Sequence, residues 1–399
     1  MHLTSLTTRQ RLAAVFMVIA LIMAAGVVAT IVTRPPAVSG GTIRVESGTE
    51  TCGQGWTGSR AGLLTFAVHN TTVASEEVYL QGARDGLVYG ELEGLGAGAT
   101  HNLSVILANG RYRFVCMPSD LSAQRGPIVT VSGARHVANA TAGIQIITAV
   151  NLIDPSKQYH AWIEGQLPVL GADVRALDAA VASGDVSEAR SAWLTAHLVY
   201  ESLGAAYGTF GDLDGAINGT PTPGTTAITD PDLTGFHRIE AVLWGGSAIA
   251  EARPFSERLI TDVTALQTSF ATAQIPALDV GLRSHEILEN AIQFELTGST
   301  DAGSGTSIAT IGANLVGTRQ ALAPLRSLLA GRYPDLDRTE QWLDRATALV
   351  DSYHRPDGSW TPITQLSTTQ HEALDATLDE TVELLAPIAA ITDPRLAPQ

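Results

Sequence analysis

The chain has 399 residues, of which 45% are hydrophobic and only 16% are charged. This composition excludes an intrinsically disordered protein, which needs few apolar residues and a high net charge. The length predicts more than one folded unit. The formal net charge of -16, from 24 Lys and Arg against 40 Asp and Glu, would repel a phosphate backbone, so nucleic acid is not expected as a partner.

Residues 1–34 have the pattern of a cytoplasmic tail followed by a membrane anchor. An uncharged apolar stretch runs from about Leu12 to Thr33 and is long enough to cross a bilayer as one helix. Arg9 and Arg11 precede it, which favours a cytoplasmic N-terminus and an exported remainder. A cleavable signal peptide is the alternative, although its apolar core is ordinarily shorter. We therefore expect a single-pass protein of the cell membrane whose bulk is extracytoplasmic, in the periplasm or at the cell surface.

Residues 42–133 have the pattern of a small β-sandwich. Short alternating apolar runs are separated by glycine-rich turns, and Asn109-Gly110 is a hairpin-turn signal. The predicted strands cover residues 63–68, 77–80, 103–107, 112–115 and 127–131. A connector is expected over residues 134–154.

The two cysteines of the chain, Cys52 and Cys116, both lie in this β-rich segment. They are expected to form one disulfide, to stay as two buried thiols, or to bind a soft metal. Cys116 lies just before the last predicted strand, a position that resembles the metal-binding loop of a cupredoxin. The Cys-x-x-x-x-His-x-x-x-x-Met run of a blue-copper centre is absent. The metal alternative therefore combines the two thiolates with a carboxylate from Glu76 or Glu77, with copper as the candidate ion.

From residue 155 to residue 395 the apolar spacing becomes helical, and the sequence predicts an all-α bundle. Asp185 is a predicted helix N-cap, with a capping-box glutamate three residues later. The helix that it opens is expected to reach about Phe210. His197 and Glu201 are four residues apart on this helix, so they share one face.

The clearest chemical motif lies on a later predicted helix. His237 and Glu240 are three residues apart, so the imidazole and the carboxylate can bind one ion. Imidazole combined with carboxylate is more typical of iron, zinc or manganese sites than of copper(I) sites. A His-x-x-Glu pair also occurs by chance on helix surfaces, so the pair alone does not establish a site.

Three runs around this pair resemble the EfeO branch of the imelysin-like family, whose members are extracytoplasmic components of bacterial iron-uptake systems. The runs are Tyr200-Glu201, residues 210–217 and residues 234–244. The resemblance implies a cupredoxin-like domain followed by an imelysin-like helical domain with a metal site inside it. The ligands that it implies are His237, Glu240, Glu201, Asp212 and Asp214. The two aspartates fit the role of turn and capping residues equally well.

The resemblance further implies that the protein captures iron, as Fe²⁺ or Fe³⁺, and passes it to an iron permease. Zinc fits the same ligands, and a peroxidase of the same uptake system is a second implied partner. A metallopeptidase and a non-catalytic cell-surface interaction protein stay open as alternatives. An enzyme is the less favoured of these, because residues 287–289 after His285-Glu286 do not complete the zinc-peptidase run His-Glu-x-x-His. The small-residue stretch 297–307 is expected to supply no ligand.

Overall fold

The computed structural model describes residues 41–134 and 136–398. The chain divides into two units, with the boundary in sequence between Ile144 and Gln145. The first unit is built on β-strands and the second on α-helices, so the predicted α+β class is confirmed. The predicted anchor over residues 12–33 lies outside the described residues. In the described ranges, no helix combines the length and the apolar character that crossing a membrane requires.

The first unit contains two β-sheets, each with mixed strand directions. The strands are β1 Ile43–Ser47, β2 Cys52–Gln54, β3 Ser59–Arg60, β4 Gly62–Asn70, β5 Glu76–Gly82, β6 Val88–Leu95, β7 Thr100–Leu107, β8 Gly110–Pro118, β9 Gln124–Arg125 and β10 Val129–Ser132. One sheet has the strand order β2-β1-β4-β7. The other has the order β3-β10-β8-β5-β6, with β9 paired to β8.

The two sheets enclose one apolar core, to which alternate side chains of the strands contribute. Trp56, Phe66 and Phe114 pack edge to face in this core, with ring centroids 4.9, 5.2 and 5.7 Å apart. The connection at Asn109-Gly110 passes from one sheet to the other, because β7 pairs with β4 and β8 pairs with β5 and β10. The predicted hairpin at this point is therefore wrong.

Cys52 on β2 and Cys116 on β8 form a disulfide that links the two sheets. The structure thus contains the first of the three alternatives for these cysteines. The alternative of a copper site at the two thiolates is corrected, because sulfurs bonded to each other cannot act as thiolate ligands. The carboxylates considered for that site also have other partners. Glu76 accepts a hydrogen bond from the Ser47 hydroxyl at 2.7 Å, and Glu77 accepts one from a tyrosine hydroxyl at 2.6 Å.

The second unit is helical. Its helices are α1 Ala149–Ser183, α2 Val186–Glu201, α3 Asp212–Asn218, α4 Gly235–Trp244, α5 Arg253–Phe270, α6 Ala277–Asn290, α7 Ser307–Leu322, α8 Arg326–Leu329, α9 Leu336–Asp351 and α10 Thr368–Thr392. A π-helical turn over Ala291–Glu295 follows α6 directly. Because α1 begins at Ala149, the last residues of the predicted connector are already helical; the other predicted domain limits stay predictions.

One continuous apolar core joins these helices. Helix α1 packs against α2 and α5, and α6 packs against α7 and α10. Helix α2 begins as predicted, since the Asp185 carboxylate accepts hydrogen bonds from the backbone N–H groups of Ser187 and Glu188. It ends at Glu201, earlier than expected, and is followed by a 3₁₀ turn over Gly204–Thr209. Helices α4 and α7 both contact α2 near its C-terminal end.

Candidate metal centre

Two buried histidine–glutamate pairs face each other, one on α2 and one on α4. On α2, His197 Nε2 lies 3.2 Å from Glu201 Oε1, and on α4, His237 Nδ1 lies 3.2 Å from Glu240 Oε2. The two imidazole rings meet edge to face, with their centroids 5.5 Å apart. The structure therefore brings together three of the predicted ligands. It adds His197, which the sequence had placed on the right helix face without assigning it a role.

The first residue of α4 has to be a glycine. Gly235 has a φ of +70°, and a Cβ atom there would come within 2.0 Å of the carbonyl oxygen of Ile217 at the end of α3. A side chain would collide with that oxygen, and the backbone conformation itself favours glycine. The contact fixes where α4 begins relative to α3. It explains why glycine starts the Gly-x-His-x-x-Glu run and how His237, two residues later, is aimed at α2.

His197 is held by aromatic packing. Its ring stacks on Trp193 with centroids 4.6 Å apart, and the Trp193 indole N–H donates to the carbonyl oxygen of Phe236 at 2.9 Å. The side chain is only 3% exposed, yet neither ring nitrogen is aligned for a hydrogen bond with a described residue, although Nε2 is close to Glu201. A buried polar atom without a hydrogen bond is costly. Coordination of a cation is one way in which an imidazole satisfies this requirement.

The Glu201 carboxylate is surrounded by hydrogen-bond donors. It accepts from the Asn218 amide at 2.7 Å and from the Asn314 amide on α7 at 3.1 Å. Burial acts to raise the pKa of Glu201, but the contact with His197 and the two amide bonds outweigh it, so the pKa is lowered. Glu201 therefore stays ionised inside the bundle and can act as an anionic oxygen donor.

The Glu240 carboxylate is held by the loop between the π-helical turn and α7. Its Oε1 accepts hydrogen bonds from the backbone N–H groups of Ala302 and Ser304, both at 3.0 Å. Burial acts to raise the pKa of Glu240, but His237 and the bonds from Ser304 outweigh it, and the pKa is lowered. The stretch 297–307, from which we expected no ligand, thus contacts the centre through its backbone.

A cavity of about 230 Å³ borders the two pairs, and Glu201, His237, Asp214 and Glu295 are among its lining residues. Glu295 belongs to the π-helical turn, and its Oε1 accepts from the Thr300 hydroxyl at 2.6 Å. Burial, together with the negative charge of Glu201, raises the pKa of Glu295 to about 7. The sequence analysis missed Glu295, because no histidine lies three or four residues from it.

The two predicted aspartates have different surroundings. Asp214 lines the cavity and accepts a hydrogen bond from the Tyr200 hydroxyl. Burial raises the pKa of Asp214. Asp212 is exposed in the first turn of α3 and does not line the cavity. Of the two, only Asp214 lies on the side of the histidine pairs.

The centre as it stands is a set of donors rather than a closed coordination shell. Among the residues that the structure describes, no three His, Cys, Asp or Glu side chains converge closely enough to hold a metal ion. In the same part of the chain, Glu201, Glu240 and Glu295 form no ion pair with Arg or Lys. Imidazole nitrogens and carboxylate oxygens in this mixture suit iron or zinc.

Comparison with known proteins gives consistent matches over the helical unit. The sequence profile of the imelysin family, Peptidase M75, matches residues 156–388. The iron uptake system component EfeO of Yersinia pseudotuberculosis is 25% identical over 75% of this chain and 77% of its own length. EfeO of Escherichia coli is 24% identical over 83% and 86%, and that of Yersinia pestis is 26% identical over 75% and 77%. A crystal structure of a protein precursor from Parabacteroides distasonis, 14% identical, covers 62% of this chain and 96% of its own, but its TM-score of 0.47 is too low to establish a shared fold.

Proposed function

The chain belongs to the imelysin family, and from this premise we propose that it is the extracytoplasmic metal-binding component of a bacterial iron-uptake system. The three EfeO relatives carry the name of iron uptake system components. The proposed cargo is one iron ion, as Fe²⁺ or Fe³⁺, and zinc is expected to bind in its place. The protein captures the ion outside the cytoplasmic membrane and passes it to a membrane permease, with a peroxidase of the same system as a further partner.

One observation supports this proposal: two buried His–Glu pairs face each other, and within residues 41–134 and 136–398 neither carboxylate forms an ion pair with Arg or Lys. Buried carboxylates are ordinarily paired with a cation or bound to a metal. Here the nearby groups are two imidazoles and backbone or side-chain amides, which leaves room for a mobile cation. We assign His237, Glu240 and Glu201 as ligands, with His197 and Glu295 beside them. Asp214 lines the same cavity as these residues, and we propose no direct bond from it to the ion.

The remaining assignments extend the same proposal. We propose that the β-unit is cupredoxin-like, since it consists of two sheets around one core. The disulfide between Cys52 and Cys116 suits an oxidising, extracytoplasmic compartment. The predicted helix over residues 12–33 is proposed as the anchor that keeps the protein at the cell membrane. The first unit then has no thiolate with which to bind a metal, so iron binding falls to the helical unit.

The proposal is tested by isothermal titration calorimetry of the detergent-solubilised full chain. Fe²⁺ is titrated under anaerobic conditions, and Zn²⁺ is titrated in a separate experiment. The wild type is expected to bind one ion of either kind. His237→Ala and Glu240→Gln are expected to lose at least about 100-fold in affinity, the upper range for disturbing a metal site. His285→Ala is the matched control, because His285 is a helix histidine with its own glutamate partner, Glu289, at 3.5 Å and does not line the cavity.

Circular dichroism distinguishes loss of binding from loss of the fold. Wild-type affinity in both His237→Ala and Glu240→Gln would remove the proposed site. No binding of either ion by the folded wild type would remove the proposed function altogether.

A further inference from the structure

A second cavity, of about 530 Å³, also borders His237. It is lined by the segment from Thr225 to Ile228 and by the loop from Ser299 to Gly303. His237 and Thr300 line both this cavity and the one that borders Glu201 and Glu295. One imidazole ring and one loop residue therefore border both cavities, and both cavities are partly open to solvent.

Asp301 supplies a carboxylate to this second cavity. It lies on the loop whose N–H groups at Ala302 and Ser304 hold Glu240, and it directly precedes Ala302 in the chain. The loop reaches this conformation through glycines with positive φ: Gly303 at +129° and Gly305 at +70°. The Asp301 Oδ1 also accepts from the Gly303 N–H at 2.7 Å, which fixes the orientation of the carboxyl group.

The oxygen donors of the centre are thus divided between the two cavities. Glu201 and Glu295 line the smaller cavity, Asp301 lines the larger one, and His237 lines both. Glu240 lies 3.2 Å from His237 and accepts a hydrogen bond from the N–H of Ala302, the residue after Asp301. An ion held between Asp301 and Glu240 could reach His237 by exchanging one oxygen donor for another. Asp301 and Glu240 form no ion pair with Arg or Lys among the described residues.

We propose that Asp301 is a transfer ligand, through which an iron ion enters or leaves the His237 site by way of the second cavity. The inference rests on the proposed function in taking His237 and Glu240 as the metal site. The step is an exchange of coordination bonds, in which a bond from iron to an Asp301 oxygen breaks as a bond to the site forms, and no electron is transferred. The site then has two routes, so that an ion can be loaded through one cavity and unloaded through the other.

The two routes are tested by the rate at which the Zn²⁺-loaded full chain gives up its ion to an excess of a strong chelator in a stopped-flow instrument. Asp301→Asn keeps the size of the side chain but weakens it as an oxygen donor. We expect it to slow both uptake and release by about tenfold, within the range for changing residues that surround metal ligands. The equilibrium affinity should change much less, because a transfer ligand lowers the barrier in both directions.

A second variant tests the cavity itself. Ile228→Trp fills part of the second cavity at a side chain that is 42% exposed, and it is expected to slow release severalfold with the affinity unchanged. Ile153→Trp is the matched control, because Ile153 is 46% exposed and lines neither cavity. Asp375→Asn, at a half-buried aspartate on α10, controls for the loss of one charge.

The outcomes separate the two proposals. If His237→Ala abolishes binding while Asp301→Asn and Ile228→Trp both release the ion at the wild-type rate, the second route is overturned and the proposed site stands. If Asp301→Asn loses the ion altogether and Ile228→Trp releases it normally, Asp301 is a fixed ligand and the route is again overturned. Wild-type binding in both His237→Ala and Glu240→Gln instead removes the proposed site, and with it the route that leads to that site.

Discussion

Glu295 offers a quantitative test of how the carboxylates around the candidate centre interact. Burial and the charge of Glu201 raise its pKa from the ordinary value of 4.5 to about 7. A glutamate whose pKa is raised by folding contributes stability that is fully present below pH 4.5 and is lost as the pH rises to about 7. At about 1.4 kcal/mol for each pKa unit, this difference corresponds to about 3 kcal/mol. Residual exposure of the side chain reduces it to about 2 kcal/mol.

We therefore expect Glu295→Gln to raise the free energy of unfolding of the metal-free protein by about 2 kcal/mol at about pH 8 and by much less at about pH 5. The amide does not ionise, and its oxygen can still accept the hydrogen bond from Thr300. Urea denaturation at intervals across this pH range measures the difference. Glu289→Gln is the control, because this carboxylate is on α6 and its side chain is 51% exposed. An effect of Glu295→Gln that does not grow with pH would refute the reasoning.

The same substitution should act on iron binding in the opposite direction. The charge that destabilises the metal-free fold becomes favourable once a cation lies in the cavity. Glu295→Gln is therefore expected to be more stable than the wild type without metal and to bind Fe²⁺ about tenfold more weakly. A variant that gains stability and keeps wild-type affinity would place Glu295 outside the metal centre.

Further predictions concern the two folds and the histidine packing. Replacing Cys52 and Cys116 together by Ala is expected to lower the free energy of unfolding of the β-unit by about 4 kcal/mol, because the disulfide closes a segment with a sequence separation of 64. Urea denaturation measures this change, and an unchanged midpoint would contradict the prediction. Gly235→Ala forces a clash with a backbone oxygen, so it should lower the free energy of unfolding by at least about 2 kcal/mol and weaken iron binding. A variant with wild-type stability and wild-type iron binding would disprove the role given to this glycine. Trp193→Phe removes one buried hydrogen bond, about 1 kcal/mol, and should loosen His197 enough to weaken Zn²⁺ binding in calorimetry. Burial raises the pKa of Glu76 against the opposing bond from a serine, so its stabilising contribution is lost as the pH rises above the ordinary value of 4.5. Urea denaturation should therefore show Glu76→Gln gaining stability relative to the wild type over that rise.

The sequence was most informative where structure depends on neighbours in the chain. The N-cap at Asp185 was predictable because its hydrogen bonds reach only two and three residues ahead. Strand β6 was not predicted, since Gly90, Gly94 and interspersed glutamates obscure its alternation. The hairpin predicted at Asn109-Gly110 failed for a different reason. The Asn109 side chain bonds to the backbone of Ala134, beyond the last strand, and this long-range contact ties down a connection between sheets.

The candidate centre divides in the same way. His237 with Glu240, and His197 with Glu201, could be paired from spacing alone, because one helix face holds each pair. Asn314, Glu295 and the backbone of the 299–305 loop reach the centre from distant parts of the chain. A π-helical turn positions Glu295, and no simple period in the sequence announces such a turn. The sequence could therefore predict the histidine–glutamate pairs, but not the residues from distant parts of the chain that surround them.

The stack of Trp193 on His197 has an optical consequence. An indole whose ring centroid lies 4.6 Å from that of an imidazole beside the proposed iron site is close enough for a bound paramagnetic ion to quench its fluorescence. The chain has six tryptophans, so the signal is assigned by its disappearance in Trp193→Phe. Arrival and departure of iron could then be followed in the unlabelled protein, with the tryptophan that packs the centre acting as its reporter.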